Sequence, residues 1–316
     1  MLKNKIRQGK SGIVLYGLTP PKISLGQSEA SEIAQRQLQR LEGIKIDGLV
    51  IYDLQDESNR NSQNRTFEFV RTIKPEIYAK DYLQNRYEAV IYKAVGNYDK
   101  NEFKEFLLNH SDAVSVFVGA SSAIDTPKLS LNDAYKMKKE IASNLTLGGI
   151  CIPERHTKKH DEDLRVASKR VKGCEFFITQ AVYDIETAKR FLDDFAKLGI
   201  KNTPIIFTFT PCGNIKTFEF MQWLGISVSE LSRHRIFDSD DALESSVKLS
   251  LDMFEFLYKY GTAKGISVGA NIESISTRKV EIDASIRLLK GIIAIIENHS
   301  LENTKSKIQS ASKFDE

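Results

Sequence analysis

The sequence predicts one (β/α)8 TIM barrel of the α/β class, on three observations. Short apolar runs alternate with amphipathic helical segments eight times. No linker or change of composition interrupts residues 12–298. Polar residues gather where each apolar run ends, the side on which parallel α/β proteins build their sites. The competing architecture is an open doubly wound sheet. It would favour a glycine-rich phosphate loop after a strand, and no GxGxxG or Walker-type sequence is present. The barrel is assigned to residues 12–298, with an N-terminal extension at 1–11 and a polar C-terminal tail at 299–316.

Each element has a local reason. The first run, Gly12 to Gly17, leaves through Thr19-Pro20-Pro21, because proline cannot continue a sheet ladder. Ala30, Ile33, Ala34, Leu38 and Leu41 mark one helix face, and Gly43 ends it. Asp47 to Tyr52 is strand two, followed by the polar loop from Asp53 to Arg65 and a helix at Thr66 to Ile73. Glu88 to Lys93 and Ala113 to Val118 are strands three and four, with helices from Asn101 to Asn109 and from Leu131 to Ile141. Leu147 to Ile152 and Phe176 to Ile178 are strands five and six. Between them, Leu164, Ala167 and Val171 give a helix its apolar spacing. A helix from Ile185 to Leu198 precedes strand seven, Thr203 to Phe209. Lys216 to Tyr260 reads as helix in three pieces, Gly265 to Gly269 as strand eight, and Ile282 to Ile296 as the last apolar helix face.

Composition sets outer limits. The chain is 41% hydrophobic and 28% charged with net charge +3, so nothing calls for nucleic acid or an acidic membrane. It has no run of eighteen apolar residues, and no signal-peptide apolar region follows the basic N-terminus. Three widely spaced cysteines without a CxxC fit a reducing cytoplasm better than a disulfide framework or a zinc ribbon. The expected ligand is a small molecule. Whether the chain works alone or as a homo-oligomer stays open.

The barrel mouth can be read from the strand ends. Strand one offers Tyr16 and Thr19; strand two Asp53, Gln55, Asp56 and Glu57; strand three Tyr92 and Lys93; strand four Ser121 and Ser122. Strand five offers Glu154, Arg155 and His156, strand six Gln180 and Tyr183, strand seven Thr210 and Cys212, strand eight Asn271 and Glu273. Any one of these alone reads as a solvated loop residue; their agreement in position carries the weight. Glu154 and Glu273 suit general acid and base roles if burial shifts their pKa values, and suit structural ion pairs with Arg155 and Arg278 equally well. Tyr16, Asp56, Tyr183 and Asn271 are candidates to bind substrate. Asp53, Asp56 and Glu57 offer hard-metal ligands, but arginines in the same loop supply their countercharge. His156 and His160 are separated by Thr157-Lys158-Lys159, without the glutamate of HExxH, and two lysines repel a cation. No metal is therefore expected. Cys212 reads as a buried thiol, and Lys158, Lys159, Lys169, Arg170 and Lys172 as a solvated basic flank or a phosphate dock.

The stretch from Leu147 to Asp184 resembles the flavin-binding segment of the methylenetetrahydrofolate reductase family. Pro153, Glu154 and His156 match its proline-glutamate-x-histidine, and Ile178-Thr179-Gln180 with Asp184 match its strand-six exit. Lys169 corresponds by spacing to a basic residue near the flavin phosphates, Pro20-Pro21 to the first strand exit, and Arg65-Thr66 to the motif after strand two. The resemblance implies an oxidoreductase of folate one-carbon metabolism that moves a hydride from NAD(P)H, with or without FAD. It implies site roles for Glu154 and Gln180 and flavin contacts at Gly119, His156 and Lys169; the proton that Gly17 cannot give would have to come from Glu57, Glu154 or Glu273, the last of these also a catalytic candidate. The departures are local. Gly17 stands where the family has a proton-donating glutamate, Val118-Gly119-Ala120 where it has arginine-glycine-aspartate, and Ile152 where it has a flavin-contacting tyrosine. A histidine the family carries after strand three is also absent. The alternatives are a flavin-free, non-redox folate or one-carbon transfer enzyme, and a catalytically silent barrel that serves as a partner subunit.

Overall fold

A computed structural model describes residues 1–55, 69–119, 126–157 and 160–311. Eight parallel strands form a closed barrel in sequential order: β1 Val14–Leu18, β2 Gly48–Ile51, β3 Ala89–Ala94, β4 Val114–Val118, β5 Thr146–Cys151, β6 Cys174–Ala181, β7 Ile205–Phe209 and β8 Val268–Ile272. Closure is made by β1 against β8, where Tyr16 pairs with Ile272. The strand carrying Asn271 begins three residues later than the sequence pattern suggested, at Val268 rather than Gly265, so Asn271 lies within the ladder and not beyond it. Because Gly265 has φ +76°, it serves as the turn that ends the preceding helix and cannot extend a strand.

Helices clothe the barrel: α1 Leu2–Arg7, α2 Gln27–Leu41, α3 Pro75–Ile77 running into a π turn, α4 Lys100–Asn109, α5 Leu131–Ile141 and α6 Glu162–Val171. They continue with α7 Ile185–Lys197, α8 Ile215–Trp223, α9 Glu230–Phe237, α10 Ala242–Ala263 and α11 Lys279–Ala311. Three helices do replace the long segment after β7, as the sequence suggested. Polar caps fix where the helices begin. Asp99 and Glu102 form a reciprocal capping box on α4. Asp184 caps α7 by accepting from the Thr187 N–H at 3.2 Å, which gives that aspartate a structural role.

Two expectations about the ends are corrected. Residues 1–11 are not a mere extension. Leu2 and Ile6 of α1 are fully buried and plug the N-terminal end of the barrel with Ile13, Leu15, Val50, Val90, Phe176 and Ile206. The basic residues of this helix reach acids at or just before the starts of strands. Lys5 pairs with Asp47 at 2.6 Å, Arg7 with Glu175 at 3.5 Å, and Lys3 with Asp112. Glu88 accepts from the Leu2 N–H at 3.0 Å. At the other end α11 continues through residue 299 to Ala311, where a polar tail was expected.

The face of α6 is also corrected. Leu164, Ala167 and Val171 have helical spacing, yet Leu164 and Val171 are exposed, and the helix buries Glu162, Asp163 and Val166 instead. Polar partners at the exit of β5 draw that face inward. Glu162 Oε1 accepts from the Ile152 N–H at 2.9 Å.

Inside the barrel, bulk on one strand is matched by its absence on the next. A Cβ on Gly148 would lie 2.5 Å from the Phe176 ring, so the aromatic side chain of β6 requires glycine on β5. Among the described residues, no helix is long and apolar enough to cross a membrane.

Candidate active site at the barrel mouth

Strand alternation decides which predicted residues reach the mouth. Leu15, Val50, Tyr52, Val90 and Tyr92 pack together inside the barrel. Gly17 follows Leu15 by two positions, and Glu273 follows Asn271 by two. Tyr52 and Tyr92 meet edge to face with ring centroids 4.8 Å apart. The Tyr52 hydroxyl accepts from Asn271 Nδ2 at 3.0 Å, and the same Nδ2 donates to Thr208 Oγ1 at 3.1 Å. The Tyr52 hydroxyl also lies beside the Glu273 carboxyl, close enough to oppose the rise in its pKa. Asn271 Oδ1 is buried with no hydrogen-bond partner, an acceptor aimed at nothing within the protein.

This arrangement explains Gly17. A Cβ there would lie 2.9 Å from the Tyr52 ring and 3.0 Å from Glu273 Cβ. The space that a β1 side chain would occupy is filled from β2 and from the end of β8. Gly17→Ala is accordingly expected to lower stability by about 1–3 kcal/mol through overpacking. Urea unfolding reads this directly, and an unchanged midpoint would contradict the packing.

Burial sets the protonation of the site. Withdrawal from water raises the Glu273 carboxyl above the usual carboxylate range, opposed by the Tyr52 hydrogen bond. The same withdrawal lifts Tyr52 well above the ordinary phenol value, reinforced by the negative charge of Glu273. Tyr52 therefore stays a hydroxyl, and Glu273 retains its proton to higher pH than a solvated glutamate would. Glu154 sits on the single 3-10 turn after β5, at Pro153–Arg155. Both its carboxylate oxygens are covered and form no hydrogen bond of good geometry, although the Tyr183 N–H lies nearby. Burial, with Asp184 and Glu162 adding repulsion, pushes it up to about 8.

Several predicted site residues lie elsewhere. Tyr16 alternates with the inward-facing Leu15 and Gly17, so its side chain points outward, where its hydroxyl meets Ser285 Oγ of α11 at 2.7 Å. Tyr183 is fully buried in the layer between sheet and helices, its hydroxyl donating to the Thr210 carbonyl. Neither is placed to bind substrate as expected. Lys93 of β3 also faces outward, fully buried, with Nζ 3.0 Å from Glu76 Oε1 and 3.9 Å from the Tyr98 ring centroid. Asp53 accepts from the Tyr98 hydroxyl at 2.8 Å and the Ala94 N–H at 3.0 Å, which makes it a structural anchor. Gln180 donates to the Leu224 carbonyl at 2.9 Å and ties the β6 exit to the segment after α8. Cys212 is buried and its thiol is pushed up to about 12, which suits an inert side chain. Asp56, Glu57, Arg65, Ser121, Ser122, Lys158 and Lys159 lie outside the described residues.

The described residues that the resemblance assigns to a flavin make contacts within the protein. His156 is fully buried and directed at Asp194, with Nε2 to Oδ2 2.9 Å. Lys169 donates to the Ile150 carbonyl at 2.5 Å and so is engaged inside the β5–α6 corner. Gly119 accepts at 3.4 Å from Gln55, which links the β2 and β4 exits. Val118 and Ile152 are apolar where the family has arginine and tyrosine. Sequence reasoning missed Tyr52 and Thr208. Their signal was available in the alternation from Val50 and Ile206, two positions earlier on each strand.

The sequence matches the family described as methylenetetrahydrofolate reductase over residues 133–268. Among solved structures, an uncharacterized protein from Clostridium thermocellum that binds two copies of 5-methyl-5,6,7,8-tetrahydrofolic acid is 46% identical. It superposes with a TM-score of 0.83, covering 93% of this chain and 100% of that one. An endo-1,4-beta-xylanase from Caldicellulosiruptor owensensis is 13% identical with a TM-score of 0.47, over 87% of this chain and 88% of that one. The 7,8-dihydropteroate synthase from Vibrio fischeri ES114 is 12% identical with a TM-score of 0.45, over 91% and 94%. No curated protein matches the sequence.

Proposed function

Since the chain belongs to the methylenetetrahydrofolate reductase family, we propose that it is a flavin-independent folate enzyme. In this reading it converts a methylene- to a methyltetrahydrofolate with hydride taken directly from NAD(P)H. The observation that carries this reading is the Glu273–Tyr52–Asn271 group beside Gly17. The reaction breaks the bond between the bridging carbon and N10, leaves an iminium at N5, and adds hydride to that carbon. N10 takes one proton. Gly17 cannot donate it, whereas the neighbouring Glu273 carboxyl holds a proton to raised pH and lies just past the end of the adjoining strand. Tyr52 orients that carboxyl, and the unpaired Asn271 Oδ1 is an acceptor for a pterin N–H. The 5-methyltetrahydrofolate bound by the Clostridium thermocellum protein is the product of this same conversion and supports a reduced folate as the ligand.

Among the described residues, His156, Lys169 and Gly119 are each engaged within the protein, which favours direct transfer between the two substrates over a route through FAD. The test uses purified protein with NADH or NADPH and methylenetetrahydrofolate, with and without added FAD, followed as nicotinamide oxidation. Expected is turnover that added FAD leaves unchanged. Turnover only with FAD overturns the flavin-independent part. Binding of 5-methyltetrahydrofolate by calorimetry with no oxidation of either nucleotide overturns the redox part and favours one-carbon transfer or a silent binding role.

A further inference from the structure

A second polar cluster lies outside the mouth, between the turn after β5 and helix α7. His156, His160 and Asp194 each bring one potential ligand atom within 4.8 Å of the others. His156 Nε2 is 2.9 Å from Asp194 Oδ2, and His160 Nδ1 is 3.9 Å from the same oxygen. The two imidazoles meet edge to face, with centroids 5.1 Å apart. We propose that these three residues form a binding site for a divalent transition metal, with zinc the best match to a His2Asp donor set.

Three further features suit a metal better than a bare ion pair. His156 is fully buried, and its other ring nitrogen, Nδ1, faces Asp163 Oδ1 at 3.7 Å; neither of these two atoms has a hydrogen-bond partner. A metal on Nε2 fixes the imidazole proton on Nδ1, and a carboxylate behind that nitrogen is the usual orienting partner of a metal-bound histidine. His160 has φ +47°, a left-handed backbone that a non-glycine residue holds at some cost, and this backbone accompanies a ring turned toward Asp194. Lys197 engages Asp194 Oδ1 at 2.5 Å and leaves Oδ2 for the metal.

The fold brings carboxylates to these histidines that the sequence did not place nearby. Asp163 comes from α6 and Asp194 from α7, 38 residues beyond His156. Two carboxylates and two neutral imidazoles balance a dication. His160 remains half exposed, which leaves a fourth position open to water. An ion here joins the turn carrying Glu154 to α7.

Zinc alone is the probe. Protein stripped with chelator is equilibrated with Zn2+ by dialysis and its metal content measured, alongside His160→Ala, Asp194→Asn and Asp163→Asn. Expected is about one zinc per chain in the parent, loss in the first two variants, and an affinity lowered roughly 10–100-fold in Asp163→Asn. Co2+ in place of Zn2+ is expected to give the visible absorption of a tetrahedral site in the parent and not in His160→Ala. His160 is on the surface, so that variant is expected to keep the parent's circular dichroism. A parent chain that retains no zinc, or a folded His160→Ala that retains as much as the parent, overturns the site and leaves His156 as an ion-pairing residue between Asp163 and Asp194.

Discussion

Glu273→Gln is expected to reduce turnover of methylenetetrahydrofolate by about 10²–10⁴-fold, the usual contribution of a positioned general acid. Binding of 5-methyltetrahydrofolate should change little, because glutamine keeps the length and polarity of the side chain and can still meet the Tyr52 hydroxyl. The pH profile adds a second readout. A carboxyl raised by burial donates while it keeps its proton, so parent activity should fall as pH rises through the Glu273 pKa, above the usual carboxylate range. In Glu273→Gln the remaining activity should lose that limb. A variant with the parent's rate would remove Glu273 from the chemistry and shift attention to Glu154.

Glu154→Gln is expected to make the protein more stable at alkaline pH and to leave acid stability almost unchanged. The parent carboxyl is pushed from its ordinary 4.5 up to about 8. Between those values the folded chain holds a proton that the unfolded chain has released, so stability falls as pH rises through the window. Below pH 4.5 both states carry the proton and the residue contributes nothing to the difference. Above pH 8 the folded chain bears a buried, poorly solvated charge, at a cost on the order of 3–5 kcal/mol. Glutamine removes the charge and is buried at about the same cost as the protonated carboxyl, so the net gain at pH 9 should be about 3–5 kcal/mol. Urea unfolding of both proteins at pH 5 and pH 9 measures it. An equal difference at the two pH values would show that Glu154 is not a buried, proton-holding group.

The barrel was legible because its signals are local and repeated. GIVLYG, DGLVIY and TPIIFTF each read as a buried strand, and each is followed by residues that break a ladder. The acids at the exits of β5 and β8 were legible for the same reason, since Pro153 ends one run just before Glu154, and Asn271 and Glu273 follow another. Facing was harder to read. Tyr16 and Gly17 are neighbours, yet one meets Ser285 outside the sheet and the other meets Tyr52 and Glu273 inside it. The spacing of Leu164, Ala167 and Val171 also pointed the wrong way, because the α6 face that binds the β5 exit is acidic.

By itself, then, the sequence determined the alternation, the closed barrel and the family likeness of its second half. These depend on apolar periodicity, glycine and proline placement, and short motifs, all carried by residues near one another in the chain. Tertiary structure alone decided which polar groups work together. Glu273 reaches Tyr52 across the β8–β1–β2 seam, and His156 meets Asp194 across the β5–α7 corner. Such pairings depend on strand register and on the direction of each Cβ, and neither leaves a period in the sequence. For the same reason Gly17 reads as a lost glutamate in the sequence and as a filled site in the fold. The volume beside it belongs to a tyrosine and a glutamate from other strands.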